Sequence, residues 1–261
     1  MPFRRPCYPP CPTPEMAGVT ACALGTICAD RLNASGAPRR PSVRRLPPGA
    51  DLAAQGVPLR SLCMVIDGWL AFYELLEDGR RQVLHIVVPG DVLVPPSPGD
   101  DVPYGIQSVV PSLVCHAPPP SAHGESPETA AMSMAVTSRN AALAYGHLTA
   151  LGRRTARERV AYLLVELYTR CRAVMPPDRA LRIPLTQAVL GDALGLTSVH
   201  VNRTLRRLRA EDLLTYDAGC LRLLDPDRLA AAACLDTETP RRWLVPLAHP
   251  LADARSSERR A

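Results

Sequence analysis

From Thr186 to Arg209 apolar residues recur at helical spacing on both sides of one glycine, and that pattern leaves few folds open. Thr186 can cap a short helix whose inner face is Val189, Leu190, Ala193 and Leu194. Gly195 follows where a tight helix–helix turn wants a positive φ, and Leu196 plugs the turn. Thr197 can cap the next helix, whose buried stripe is Val201, Leu205 and Leu208 at i, i+4, i+7. The opposite face presents Val199, His200, Asn202, Arg203, Arg206 and Arg207. Leu214–Tyr216, the turn Asp217-Ala218-Gly219 and Cys220–Leu224 then read as a β-hairpin, and Asp225-Pro226 starts a short final helix. This is the layout of a winged helix-turn-helix.

Charge is distributed to match. Residues 51–101 carry three Arg against eight Asp and Glu; residues 153–209 carry twelve Arg against four. An acidic middle and a basic later segment imply two units with different partners, the basic one facing a polyanion such as nucleic acid. At 261 residues and 47% hydrophobic, the chain can bury the cores of two modest domains. Aromatic residues make up 4%, too few for base-stacking platforms. No run reaches the roughly 18 apolar residues that cross a bilayer. The N-terminus MPFRRPCYPPCPTPE has no apolar signal region, so a cytoplasmic protein without a membrane partner is expected, its nine Cys as thiols rather than disulfides.

The remaining chain is read around that anchor. Residues 1–41, rich in Pro and Arg, are an irregular arm. Residues 42–125 read as a small antiparallel sandwich or roll, with strands at Leu62–Ile66, Trp69–Leu76, Gln82–Val88 and Gln107–His116 cut by turns such as Glu77-Asp78-Gly79-Arg80. Ser126-Pro127-Glu128 opens a long helix over 126–152. On it, Met134, Ala141 and Leu148 lie seven apart, with Ala144 and Leu151 three after two of them. That is a partial heptad seam, interrupted by Gly146, and equally the pattern of an ordinary core helix. Gly152-Arg153-Arg154 breaks it, a helix carrying Val160, Leu163, Leu164 and Leu167 follows, the winged unit spans 153–235, and 236–261 is a flexible tail. The fold class is α+β: an antiparallel sandwich or roll, a long helix and a C-terminal winged helix-turn-helix.

The strings themselves resemble a known family. LTQAVLGDALGLTSVHVNRTLRRLR, with its wing, is similar to the C-terminal domain of Crp/Fnr-family transcription regulators. VIDGWLAFYELLEDGRRQVLHIVVPGDVL resembles the family's sensor roll, and GRRTARERVAYLLVEL the helix opening its DNA-binding domain. The resemblance covers about residues 42–235. It implies a jelly-roll-like β-roll over 42–125, a long dimerisation helix over 126–152 and a homodimer that binds double-stranded DNA at a palindromic operator, works with RNA polymerase and is controlled by a signal at the roll. Carried over residue by residue, Arg203 stands at the base-reading position and Thr186 at a phosphate-contacting one, with Thr197, Ser198, Val199, His200, Asn202, Arg206 and Arg207 completing the expected DNA-binding set. Val199 replaces a Glu often used for base readout, so the half-site should differ from those of the best-known members. The competing reading is a sensor whose degenerate helix-turn-helix binds a protein partner. Nothing in the sequence supports an enzyme.

The roll's ligand is less defined. Family members that bind cyclic AMP use a Gly-Glu pair and, about ten residues later, an Arg. Here Gly90-Asp91-Val92-Leu93-Val94-Pro95-Pro96 lacks the pair, and SPGDDVPYGIQS carries Asp100 and Asp101 but no Arg, so cyclic AMP is not the expected ligand. The family's other option is an iron–sulfur cluster, for which Cys11, Cys22, Cys28 and Cys115 are the candidates. The departure is that Val19 stands where a ligand three residues before Cys22 is expected. Ordinary or redox-active thiols are the competing reading.

Overall fold

The computed structural model describes residues 41–59, 61–95, 101–117, 127–174, 181–217 and 220–244. Eight short strands come first: β1 Ser42–Leu46, β2 Asp51–Ala53, β3 Cys63–Asp67, β4 Leu70–Leu75, β5 Arg81–Val87, β6 Val92–Leu93, β7 Gly105–Ser108 and β8 Ser112–His116. They pair antiparallel into two four-stranded sheets, ordered β1-β8-β3-β6 and β2-β7-β4-β5. The sheets face each other across a core that includes Leu46, Val65, Leu70, Val87, Leu93, Ile106 and Val114. Alternation along β4 explains the layering: Leu70 belongs to this inner core, while Ala71 faces the opposite side.

The run Gln107–His116 is two strands rather than one. At the corner between them, Ser108 Oγ donates to the Val110 carbonyl and Ser112 Oγ accepts from the Trp69 amide at 3.1 Å. These bonds satisfy backbone groups that a bend would otherwise leave unpaired.

Helix α1, Pro127–Arg153, follows the roll; Ser126, its expected cap, lies outside the described residues. Val136, Leu143 and Ala150, seven apart, are buried at 1%, 0% and 3% exposure. Gly146 sits where α1 crosses α2, Ala156–Arg172, because a Cβ there would lie 2.1 Å from the Tyr162 hydroxyl oxygen. The interruption of the heptad pattern is thus a close helix–helix approach. A capping box starts α2: the Thr155 side chain accepts from the Glu158 amide, and the Glu158 carboxylate from the Thr155 amide.

The last unit comprises α3 Gln187–Leu194, α4 Ser198–Ala210, β9 Leu214–Asp217, β10 Cys220–Leu223, α5 Pro226–Ala232 and α6 Thr239–Arg242. Residues 236–244, expected to open the flexible tail, are folded instead. Trp243 is buried edge-to-face on Tyr162, with ring centroids 5.4 Å apart, and an aromatic indole with an apolar partner available leaves water.

The two units share one apolar core. Trp69, Ala71, Val83, Ile86 and Val88 of the roll pack in a single cluster with Val160, Leu163, Leu164 and Leu167 of α2 and Leu190 and Leu194 of α3. At the rim, Arg81 donates to the Asp192 carboxylate at 2.8 Å and Gln82 to the Ala193 carbonyl at 3.4 Å.

Candidate nucleic-acid interface

Helix α3 begins where Thr186 Oγ1 accepts from the Val189 amide, and α4 where Thr197 Oγ1 accepts from the His200 amide at 3.2 Å. Between them Gly195 adopts φ 62°, ψ 38°, the left-handed conformation that a side chain disfavours. Leu190, Ala193 and Leu194 are buried; Val189 is only half-buried. Val201, Leu205 and Leu208 of α4 are exposed by no more than 3%. The wing strands β9 and β10 pair antiparallel, and Ile183 adds a bridge to Leu221, its amide donating at 2.9 Å. Ala218 and Gly219 of the expected turn lie outside the described residues.

With its inner stripe committed, α4 turns the rest outward. Val199 is 81% exposed, and Arg203, Arg206 and Arg207 are exposed. Arg203 and Arg206 have no ion-pair partner among the described residues, whereas Arg207 Nε lies 3.6 Å from Glu211. Arg157 also holds Glu211, and that hydrogen bond keeps the Glu211 carboxyl below its ordinary range. Asn202 is half-buried and donates to Gln187 Oε1 at 3.1 Å, so it ties α4 to the start of α3. Thr186, Thr197 and Ser198 are exposed and His200 half-buried at the N-terminal ends of the two helices. Of the expected set, Thr186, Thr197, Ser198, Val199, Arg203, Arg206 and Arg207 are exposed, and Asn202 and His200 are half-buried.

Helix α1 carries a second apolar stripe. Met134, Tyr145 and Leu148 are 72%, 71% and 68% exposed. Met134 and Leu148 lie two positions before Val136 and Ala150, about 200° around a helix, so they occupy the face opposite the buried seam. Ala144 is exposed and Leu151 half-buried. Tyr145 is absent from the expected seam; its spacing, four after Ala141 and three before Leu148, is the signal that could have found it.

Two comparisons with protein families match. The family described as a Crp-like helix-turn-helix domain matches residues 158–232, and that described as a cyclic nucleotide-binding domain matches residues 43–121. The transcriptional activatory protein AadR of Rhodopseudomonas palustris is 31% identical over 176 residues, 66% of this chain and 73% of that one. The nitrogen fixation regulation protein FixK of Rhizobium meliloti is 30% identical over 184 residues, 70% of this chain and 82% of that one. The chain belongs to the Crp/Fnr family. In fold, this Crp/Fnr protein resembles FixK2 of Bradyrhizobium japonicum, with TM-score 0.62 at 24% identity over 74% of this chain and 96% of that one. It also resembles a Crp-family regulator of Thermus thermophilus, with TM-score 0.60 at 21% identity over 75% and 99%.

The family's cyclic-nucleotide ligand does not suit the roll. Its interior is apolar, and Tyr104 stacks on Phe72 at 4.7 Å. Arg80 is paired to Asp78 and Arg81 to Asp192 and Gln107, while Arg44 donates to the Asp51 and Leu52 carbonyls. Arg81 and Arg44 are thus engaged by protein acceptors, the Arg80 side chain is 77% exposed and held by Asp78 at the surface, and no Arg lies in 97–108 to meet a phosphate. Asp101 is exposed; Asp100 lies outside the described residues.

Of the iron–sulfur candidates, Cys115 is wholly buried in β8 among Leu62, Met64, Ile66 and Val92, while Cys11, Cys22 and Cys28 lie outside the described residues. No group of three or more His, Cys, Asp or Glu among the described residues is placed to hold a metal. Cys63 Sγ lies 3.3 Å from His116 Nδ1, yet burial pushes the Cys63 thiol up to about 12 despite the opposing pull of Ser61 and Arg44. Burial does the same to Cys171. Both are neutral, unreactive thiols at physiological pH.

Proposed function

We propose that this Crp/Fnr regulator binds a palindromic DNA site as a homodimer, one α4 entering the major groove in each half-site, under control of a signal at the β-roll. The carrying observation is the outward face of α4, where Arg203 and Arg206 are exposed beside Val199 with no ion-pair partner among the described residues. Arg203 supplies a bidentate donor for guanine O6 and N7, and Val199 an apolar contact for a thymine methyl. Thr186, Thr197, Ser198, His200, Asn202, Arg206 and Arg207 serve phosphate or base edges around them, and a basic surface of this kind gives a salt-dependent affinity.

The dimer rests on the second stripe of α1. Its 27 residues run about 40 Å, long enough to set two recognition helices the roughly 34 Å apart that one turn of DNA requires. Among the described residues no helix is long and apolar enough to cross a membrane, which fits a cytoplasmic regulator. The activator named among its relatives supports RNA polymerase as the downstream partner, and a regulatory rather than an enzymatic role.

Selection of duplexes from a random pool tests the reading, followed by sedimentation of the complex. The expected product is a two-fold symmetric site holding two chains. A selected site without symmetry, or one chain per duplex, overturns it.

A further inference from the structure

Where α1, α2 and the roll meet, oppositely charged side chains are buried together. Asp91, in the turn after β5, accepts from Arg139 Nη1 of α1 at 2.6 Å and from Arg170 Nη2 of α2. Its own loop contributes the Val88 amide at 2.8 Å. Arg170 goes on to donate to Glu166 Oε1 at 2.5 Å and to the Ile86 carbonyl at 2.9 Å. His147 of α1 closes the chain on the second oxygen of Glu166. Side-chain exposure is 2% for Arg170, 0% for Glu166, 6% for Asp91 and 7% for Arg139.

Two guanidinium groups and two carboxylates thus face one another in a site nearly without water, with His147 on Glu166 and His85 Nε2 3.3 Å from Arg170 Nη2 at its edges. Removing one member leaves an unmatched buried charge, which is far costlier than removing a pair. The arrangement is also directional: Asp91 belongs to the roll, Arg139 to the helix bearing the exposed stripe, and Glu166 and Arg170 to the unit carrying α4. A shift of the Gly90-Asp91 turn cannot occur without moving or unpairing Arg139 and Arg170.

We propose that Asp91, Arg139, Glu166 and Arg170 are positioning residues for DNA binding, a latch that holds the recognition helix in fixed register with α1 and releases it when the roll moves the 90–91 turn. The DNA arm of the test rests on the functional reading above; the docking arm does not. Both tryptophans report on docking. Trp69 lies in the core shared by the units, and Trp243 lines a cavity of about 40 Å³ together with Asp91, Arg139 and Arg170.

Asp91→Asn keeps the shape and removes one negative charge from between Arg139 and Arg170. Acrylamide quenching of tryptophan should rise about twofold while far-ultraviolet circular dichroism holds, the signature of local opening. Adding Arg139→Met restores the balance and should return quenching towards wild type, a non-additive pair. On a palindrome selected by the wild type, lengthening the spacing between half-sites by about two base pairs should cost the wild type about tenfold in affinity and Asp91→Asn far less. Should Asp91→Asn fail to fold, Arg139→Met alone, with its charge nearest the surface, carries the same comparison. Unchanged quenching with lowered stability, or a double variant worse than the sum of its singles, overturns the latch and leaves a purely structural cluster. A wild type that selects no palindrome counts against the DNA reading, and the quenching arm still decides the latch.

Discussion

Replacing Leu148 by Asp should give a folded monomer. The residue is 68% exposed within the protomer, so its carboxylate stays in water there and the fold is spared. Complete burial of a Leu side chain is worth about 1.5–3 kcal/mol, and roughly two thirds of this one remains to be covered. Each dimer holds two copies, so about 2–4 kcal/mol of association is lost before the carboxylates are desolvated. At 1.4 kcal/mol per decade the dimer weakens by about thirty- to several-hundred-fold. Sedimentation velocity at micromolar concentration should show a wild-type dimer and a Leu148→Asp monomer with unchanged circular dichroism. Leu143→Asp, at a site with no exposure, should instead unfold the chain. A monomeric wild type, or a Leu148→Asp variant that still dimerises, refutes the seam.

Arg203→Ala should retain the fold and lose about 1–3 kcal/mol of specific affinity, because its side chain lies off the Val201, Leu205 and Leu208 stripe; an unchanged ratio of specific to non-specific binding in titrations would remove its base-reading role. Cyclic AMP at a hundred times a real dissociation constant would stabilise the fold by about 2.7 kcal/mol, so a flat melting curve at millimolar nucleotide is the expected outcome. Stability should fall with acid. Burial, then Arg170, holds the half-buried His85 well below its ordinary 6.5. Its contribution is complete above about pH 6.5 and is lost as pH drops from there towards the folded value, at no more than about 1.4 kcal/mol per pH unit. His116, lowered by burial and then by Arg44, acts in the same direction. Burial raises the Glu166 carboxyl, but His147 and Arg170 outweigh it and hold it at about 2, so its share is lost only below about pH 4.5. Urea midpoints at pH 7.5 and 5.5 should therefore differ more for wild type than for His85→Gln, and equal differences would sink the assignment.

What could be read from the sequence was what local rules decide. Caps at Thr186 and Thr197, the left-handed Gly195 and the stripe from Val201 to Leu208 are set by neighbours within a turn or two. β1 was not expected because four of its five residues are exposed; only pairing with β8 makes it a strand. β6, two residues long, has no period to read. Charged Glu166 and Arg170 look in sequence like the wet face of an amphipathic helix. Asp91, the partner of Arg170, lies 79 residues away, and no local pattern encodes a contact at that distance. Trp243 is similar: a lone aromatic near the C-terminus is buried only because Tyr162, 81 positions earlier, offers an edge.

The core shared by the roll and the winged unit has a consequence for how such proteins can be recombined. Ala71, Val83, Ile86 and Val88 present an apolar surface matched to α2 and α3, and Arg81 and Asp192 fix its edge. A chimera joining this winged unit to another sensor would expose both halves of that surface, and an excised fragment starting near Ala156 would leave Trp243 and Leu164 without part of their cover. The two halves therefore behave as co-fitted parts rather than exchangeable modules, and substitutions on one side of the joint must be accommodated by substitutions on the other.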